Sequence, residues 1–231
     1  MFLIVISIGF VILSYAIQNR LKSKFKKYSQ ITLSSRISGK EAAEQMLKDN
    51  GIHDVKVISV AGQLTDHYNP ANKTVNLSAD VFEGRSAAAV AVAAHEVGHA
   101  VQHAKSYAFL QLRSALVPIQ NVSAKIMNFI FMAMLFGAFF LQGIFSPQIS
   151  LMVIIVCYSV FTLFAFVTLP VEFDASKRGL AWLTTSGIAN SREHAMAEDA
   201  LKWAAMTYVV TAISSLVTLL YFVFSYLGAR D

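Results

Sequence analysis

The chain has 231 residues, a net charge of +5, 55% hydrophobic and 14% charged residues, and a mean hydropathy of +0.53. A water-soluble domain carries about 25% charged residues, so an ordinary soluble protein is excluded, and so is disorder, which needs low hydrophobicity. Charge is also unevenly placed: residues 1–19, 126–171 and 203–229 contain no Asp, Glu, Lys or Arg.

A bilayer core needs about 20 apolar residues per helix. Residues 1–19 therefore make one span, 126–171 is long enough for two, and 203–229 supplies a fourth. The first stretch lacks a basic leader and a small-residue cleavage pattern, so it reads as a span rather than a removed signal. Arg20, Lys22, Lys24, Lys26 and Lys27 follow it, and basic residues beside a span stay cytoplasmic. With four spans, 18 of the 19 Lys and Arg fall on that side and Arg230 alone lies opposite. Both termini are expected outside and the polar segment inside. The expected organisation is a first span (1–19), a cytoplasmic domain (20–124), a hairpin of spans two and three (125–170), cytoplasmic helices (171–203) and a fourth span (204–228). The pI of 9.3 then reports topology and attraction to anionic headgroups, so the expected partner is the lipid bilayer and no nucleic acid.

Within the polar segment, Ser38-Gly-Lys-Glu41 has the form of a capping box opening a helix to about Asn50, stopped by Gly51. Residues 55–60, 63–68 and 74–77 read as strands of a short antiparallel sheet, the last two joined by the turn-rich 69–73. A long Ala-rich helix is expected from Ser86 through the nineties toward the 110s. Beyond the third span, a helix opening at Glu172 runs to about Leu183. After a Ser186-Gly187 break, a polar helix from about Ser191 leads into the last span. Cys157, the single cysteine, lies in a predicted span as a small apolar filler.

The chemistry concentrates in His95-Glu96-Val97-Gly98-His99. Histidines at i and i+4 share a helix face about 6 Å apart along the axis, so both can reach one zinc ion. Glu96, about 100° round, sits beside a zinc-bound water and is the candidate general base. With 6 His in the chain, such a pattern arises by chance at about the 0.5% level. Gly98 is expected to leave room near the metal. A third ligand is required. His103 is too far along the same helix to share a metal with His95. Glu172 is the candidate: acids are absent between Glu96 and Glu172, and the membrane hairpin returns the chain beside the histidines. Asp174 points about 200° away from Glu172 on the same helix, so both cannot face one metal, and it is the less favoured alternative. His67, Tyr68, Arg192 and His194 are all open as oxyanion donors, and Arg85 is expected to cap or ion-pair locally.

His95-Glu-Val-Gly-His-Ala-Val-Gln-His103, preceded by Tyr68-Asn-Pro, Val75-Asn-Leu-Ser78 and Phe82-Glu-Gly-Arg-Ser86, resembles the YugP-type membrane zinc metallopeptidases. Leu169-Pro-Val-Glu-Phe-Asp-Ala-Ser176 and Ala205-Met-Thr-Tyr208 extend the likeness over nearly the whole chain. More distantly it is similar to the HtpX-like and CAAX-prenyl endopeptidases, which pair HExxH with a later ExxxD helix. The resemblance implies a gluzincin-type zinc peptidase with one catalytic Zn2+, ligands His95, His99 and Glu172, and Glu96 as base. It implies a protein or peptide substrate, a bacterial plasma membrane, and a site at the cytoplasmic face. Ser176 stands where the distant relatives carry an Asp that orients a ligand histidine. In zincin folds a sheet edge beside the active helix holds extended substrate, and Thr74, Val75, Asn76 and Leu77 are the candidate strand. The expected fold is thus mainly α: four transmembrane helices plus a small α+β zincin-like cytoplasmic domain. Two other readings, a silent membrane scaffold and a transporter, fit the residues less well. A silent scaffold need not keep Glu96, and a transporter would bury ionisable groups in its spans.

Overall fold

The computed structural model describes residues 2–137 and 147–228. Arg230 and most of the expected link at 143–148 lie outside the described residues. The elements are α1 (Phe2–Ser29), α2 (Gly39–Asp49), β1 (Lys56–Val60), β2 (His67–Asn69), β3 (Thr74–Ser78), α3 (Ala79–Phe82), α4 (Ala87–Ala104), α5 (Ala108–Gly137), α6 (Pro147–Thr185) and α7 (Ser191–Gly228). Among the described residues, four helices are long and apolar enough to cross a membrane: Leu3–Ser29, Ala108–Ala133, Gln148–Thr185 and Ser191–Gly228. Large apolar side chains such as Ile4, Val5, Val11, Phe131 and Phe224 are exposed on them, as suits contact with lipid.

The chain divides into two compact units, one of Met1–Ser14, Leu112–Leu169 and Tyr208–Asp231, the other of Tyr15–Gln111 and Pro170–Thr207. In the second unit, α2 is opened by a complete capping box: the Ser38 hydroxyl accepts from the Glu41 amide and the Glu41 carboxylate accepts from the Ser38 amide. Its apolar stripe, Ala42, Ala43, Met46 and Leu47, packs with Val75, Leu77, Val90, Val97, Val101 and Leu183 in one core.

Several expectations are corrected. The sheet is mixed, in the order β1-β3-β2, with β1 parallel and β2 antiparallel to β3. The tight 69–73 turn makes β2 and β3 a hairpin, and β1 joins the far side of β3, where a chain arriving by way of β2 must run parallel. The helix expected through the 110s is broken: α4 ends at Ala104, Ser106 takes a φ of 51°, and α5 starts at Ala108. Conversely, no helix opens at Glu172, because α6 runs unbroken through Pro170. An interior proline costs roughly 3 kcal/mol. Here it is flanked by Val171 and Ala175, both fully buried, whose packing offsets that cost.

Candidate metal centre

His95 and His99 lie one turn apart on α4, a helix dominated by small residues and capped by the Ser86 hydroxyl, which accepts from the Ala89 amide. The small residues let another helix approach to backbone contact. A Cβ at Gly98 would stand 2.4 Å from the Ala175 carbonyl oxygen, and one at Gly179 would stand 3.0 Å from the Ala94 carbonyl group. The space left by Gly98 is therefore taken by α6 itself, which corrects the expectation that it is kept for the metal. Ala94 and Gly98 face Ala175 and Gly179, a small residue every fourth position on each helix.

That crossing sets Glu172, the residue one turn before Ser176, against the histidines. Its Oε2 lies 3.4 Å from His95 Nε2 and 3.7 Å from His99 Nε2, and the carboxylate is buried. One ligand atom from each of the three residues lies within 4.8 Å of the other two. Donors at about 2.0–2.1 Å from a tetrahedral ion stand about 3.4 Å apart, so the set has the chemistry of a zinc site and the two separations from Glu172 are close to zinc spacing. Burial favours the neutral His99 ring, but the carboxylates of Glu172 and Glu96 and the Gln102 side chain outweigh it and hold the imidazole above its usual pKa. Surroundings that draw a proton onto a buried ring are surroundings that favour a cation.

The far side of each ring is also engaged. His95 Nδ1 lies 3.0 Å from Ser176 Oγ, and His99 Nδ1 lies 3.0 Å from Gln102 Oε1. Ser176 thus stands behind His95 at the position where an Asp was implied. Gln102, fully buried, donates from Nε2 to the Val171 carbonyl and to Asp174 Oδ2, each at 2.8 Å, and Arg178 Nε donates to that same Asp174 oxygen at 2.6 Å.

Glu96 is buried on α4 outside the three-residue group, and its Oε2 accepts from the Tyr68 amide of β2 at 3.0 Å. The Tyr68 hydroxyl is 2.8 Å from His103 Nδ1, so His103 belongs to a contact between α4 and β2. His67 Nδ1 lies 2.8 Å from the Thr65 carbonyl, and His194 Nε2 lies 3.2 Å from the Leu180 carbonyl. Arg85 pairs with Glu41 at 3.1 Å and donates to the Arg36 carbonyl.

Thr74, Val75, Asn76 and Leu77 do not form an edge. They lie in β3 and are buried throughout, with β1 paired along all four and β2 paired at Thr74, Val75 and Asn76. β3 is thus the central strand, and Thr74, Val75 and Asn76 offer no free edge for an added strand. The sheet edges are β1 and β2, and β2 carries the amide that holds Glu96. Sequence reasoning missed Gln102 and weighed Asp174 only as the alternative third ligand. The available signal was a glutamine inside an Ala-rich, apolar helix three residues beyond a ligand candidate.

A family model described as "Putative neutral zinc metallopeptidase" matches residues 2–227. Over 232 residues the chain is 40% identical to "Putative membrane protease YugP" of Bacillus subtilis (strain 168), covering 100% of this chain and 99% of that protein. No solved structure matches the chain.

Proposed function

The chain belongs to the neutral zinc metallopeptidase family whose model it matches, and from that premise we propose that it is a zinc-dependent membrane endopeptidase acting at the cytoplasmic face. One observation carries the reading: the Glu172 carboxylate, far along the sequence, lies 3.4 and 3.7 Å from the two imidazole nitrogens. A site used only for packing has no reason to converge two imidazoles and a buried carboxylate on one point. In this reading His95, His99 and Glu172 hold one zinc ion, a gluzincin-type ligand set.

Zinc, when bound, supplies Lewis-acid polarisation of the scissile carbonyl and makes water acidic enough to attack near neutral pH. Glu96 does the proton work. With Oε2 fixed by the Tyr68 amide, the proton taken from the attacking water goes to Oε1 and is delivered to the departing amine as the C–N bond breaks. Water is consumed, and a carboxylate and an amine leave. The cytoplasmic orientation rests on the distribution of Lys and Arg, 18 of 19 on one side. Substrates are membrane-associated or unfolded protein segments reaching the site from that side.

The test compares purified wild type with Glu96→Gln for bound zinc and for cleavage of an unfolded protein in detergent, with a chelator control. The expected result is about one zinc in both, cleavage by wild type alone, and its loss on chelation. Wild type that binds no zinc would overturn the reading.

A further inference from the structure

Gln102 has features that packing alone does not explain. It is 0% exposed, lies in an apolar core, and sits three residues past His99 on α4. Both ends of its amide are committed. Nε2 is 2.8 Å from the Val171 carbonyl oxygen and 2.8 Å from Asp174 Oδ2. A carbonyl oxygen can only accept, and Arg178 Nε, 2.6 Å from that same Asp174 oxygen, holds the carboxylate as an acceptor too. Two acceptors at one end require the NH2 group there, which fixes the orientation of the amide by chemistry. The oxygen must then face His99 Nδ1 at 3.0 Å. An amide oxygen has no proton to give, so Nδ1 must carry one.

A neutral imidazole has one N–H and one lone pair. With the proton on Nδ1, the lone pair is on Nε2, the atom that faces Glu172. From this geometry we propose that Gln102 is a positioning residue for the metal centre: held by Val171, Asp174 and Arg178, it sets His99 in the Nδ1–H tautomer and so presents Nε2 as a ligand. The inference deepens the zinc reading and rests on it for its purpose, although the tautomer itself exists with or without metal. The two ligand rings are treated differently. Ser176 Oγ, 3.0 Å from His95 Nδ1, can donate or accept and imposes no tautomer by itself. Gln102 can only accept. Asp174, which cannot join the metal, acts two bonds removed from it by orienting the glutamine.

Two variants separate this role from packing. Gln102→Met keeps the volume and removes the acceptor, whereas Gln102→Glu keeps an acceptor at the cost of burying an acid; both lose the NH2 group that donates to Val171 and Asp174. If Gln102 only fills space, Met is tolerated and Glu is the worse variant. If it sets the tautomer, the order reverses: Gln102→Met loses about 10–100-fold in zinc affinity, and Gln102→Glu, which still offers Nδ1 an acceptor, loses less. Zinc affinity is read by competition with a chromophoric chelator, and folding by thermal unfolding of the metal-free proteins. A Met variant that binds zinc as wild type does, or binds it better than the Glu variant, overturns the proposal.

A measurement on the unaltered protein guards against variants that fail to fold. In metal-free, 15N-histidine-labelled wild type at alkaline pH, each neutral ring has one proton to place. Glu172 acting alone would draw the His99 proton to Nε2, whereas Gln102 draws it to Nδ1. Nitrogen shifts showing a protonated Nδ1 support the proposal, and a bare Nδ1 overturns it. Because this readout needs no zinc, failure of the metal reading and failure of the Gln102 proposal are distinguishable.

Discussion

At the scale of single residues, Glu172 is a carboxylate only 3% exposed. A buried carboxylate is costly unless it is paired, and the two imidazoles at 3.4 and 3.7 Å are partners suited to a shared cation. Loss of an outer partner of a metal site costs about 10–100-fold in affinity, and a ligand carries more. Glu172→Gln, nearly equal in size, should therefore lower zinc affinity by more than about 100-fold, measured by chelator competition. Asp174→Asn, which leaves the ligand set intact, should cost less than Glu172→Gln in the same assay. Equal losses would mean that Asp174 has been wrongly placed outside the ligand set.

At the scale of elements, the crossing of α4 and α6 decides whether the three donors meet. The 2.4 Å approach of a Cβ at residue 98 to the Ala175 carbonyl leaves no room for a methyl group. Overpacking of this kind costs about 1–3 kcal/mol, and here it also moves Glu172 away from the histidines. Gly98→Ala should lower both the melting temperature and zinc affinity. Ala88→Gly, on the same helix but outside this crossing, should lower stability alone. The start of α2 offers a pH test. The Ser38 backbone and side chain, then Arg85, lower the Glu41 pKa from 4.5. A depressed carboxylate stabilises the fold above its unfolded pKa, and the contribution fades as pH falls through the lower folded value. Amide protection at the first turn of α2 should thus drop on acidification below 4.5 in wild type. In Glu41→Gln it should already be reduced at neutral pH and vary little across that range.

At the scale of the whole molecule, ligand binding and topology are the testable quantities. An ion that binds only the folded protein stabilises it by about 2.7 kcal/mol at 100 times its dissociation constant. Zinc should raise the unfolding temperature of wild type in detergent and leave Glu172→Gln unmoved. The orientation can be read with an impermeant thiol reagent, since the lone native Cys157 is buried. A cysteine placed at the exposed Ala71 should be modified in inverted membrane vesicles and protected in intact cells. The reverse pattern would place the His95–Glu172 site outside.

The four apolar helices were legible because a charge-free run of about 20 residues has few stable alternatives to a membrane helix. The α2 start was legible because a capping box is a local bargain between residues three apart. His95 and His99 as a pair were legible because helix periodicity alone puts them on one face. Other features depended on neighbours that no local pattern names. Pro170 passes through α6 unbroken because Val171 and Ala175 are buried around it. β3 became the central strand because β1, distant in sequence, pairs on its free side. Gln102 acquired its place behind His99 through Val171 and Asp174, some 70 residues away. The sequence by itself determined which segments are apolar and that His95 and His99 share one helix face, since both follow from composition and short-range periodicity. Only the tertiary structure decided which partners close each hydrogen bond, because that is set by the approach of helices whose contact residues lie far apart along the chain.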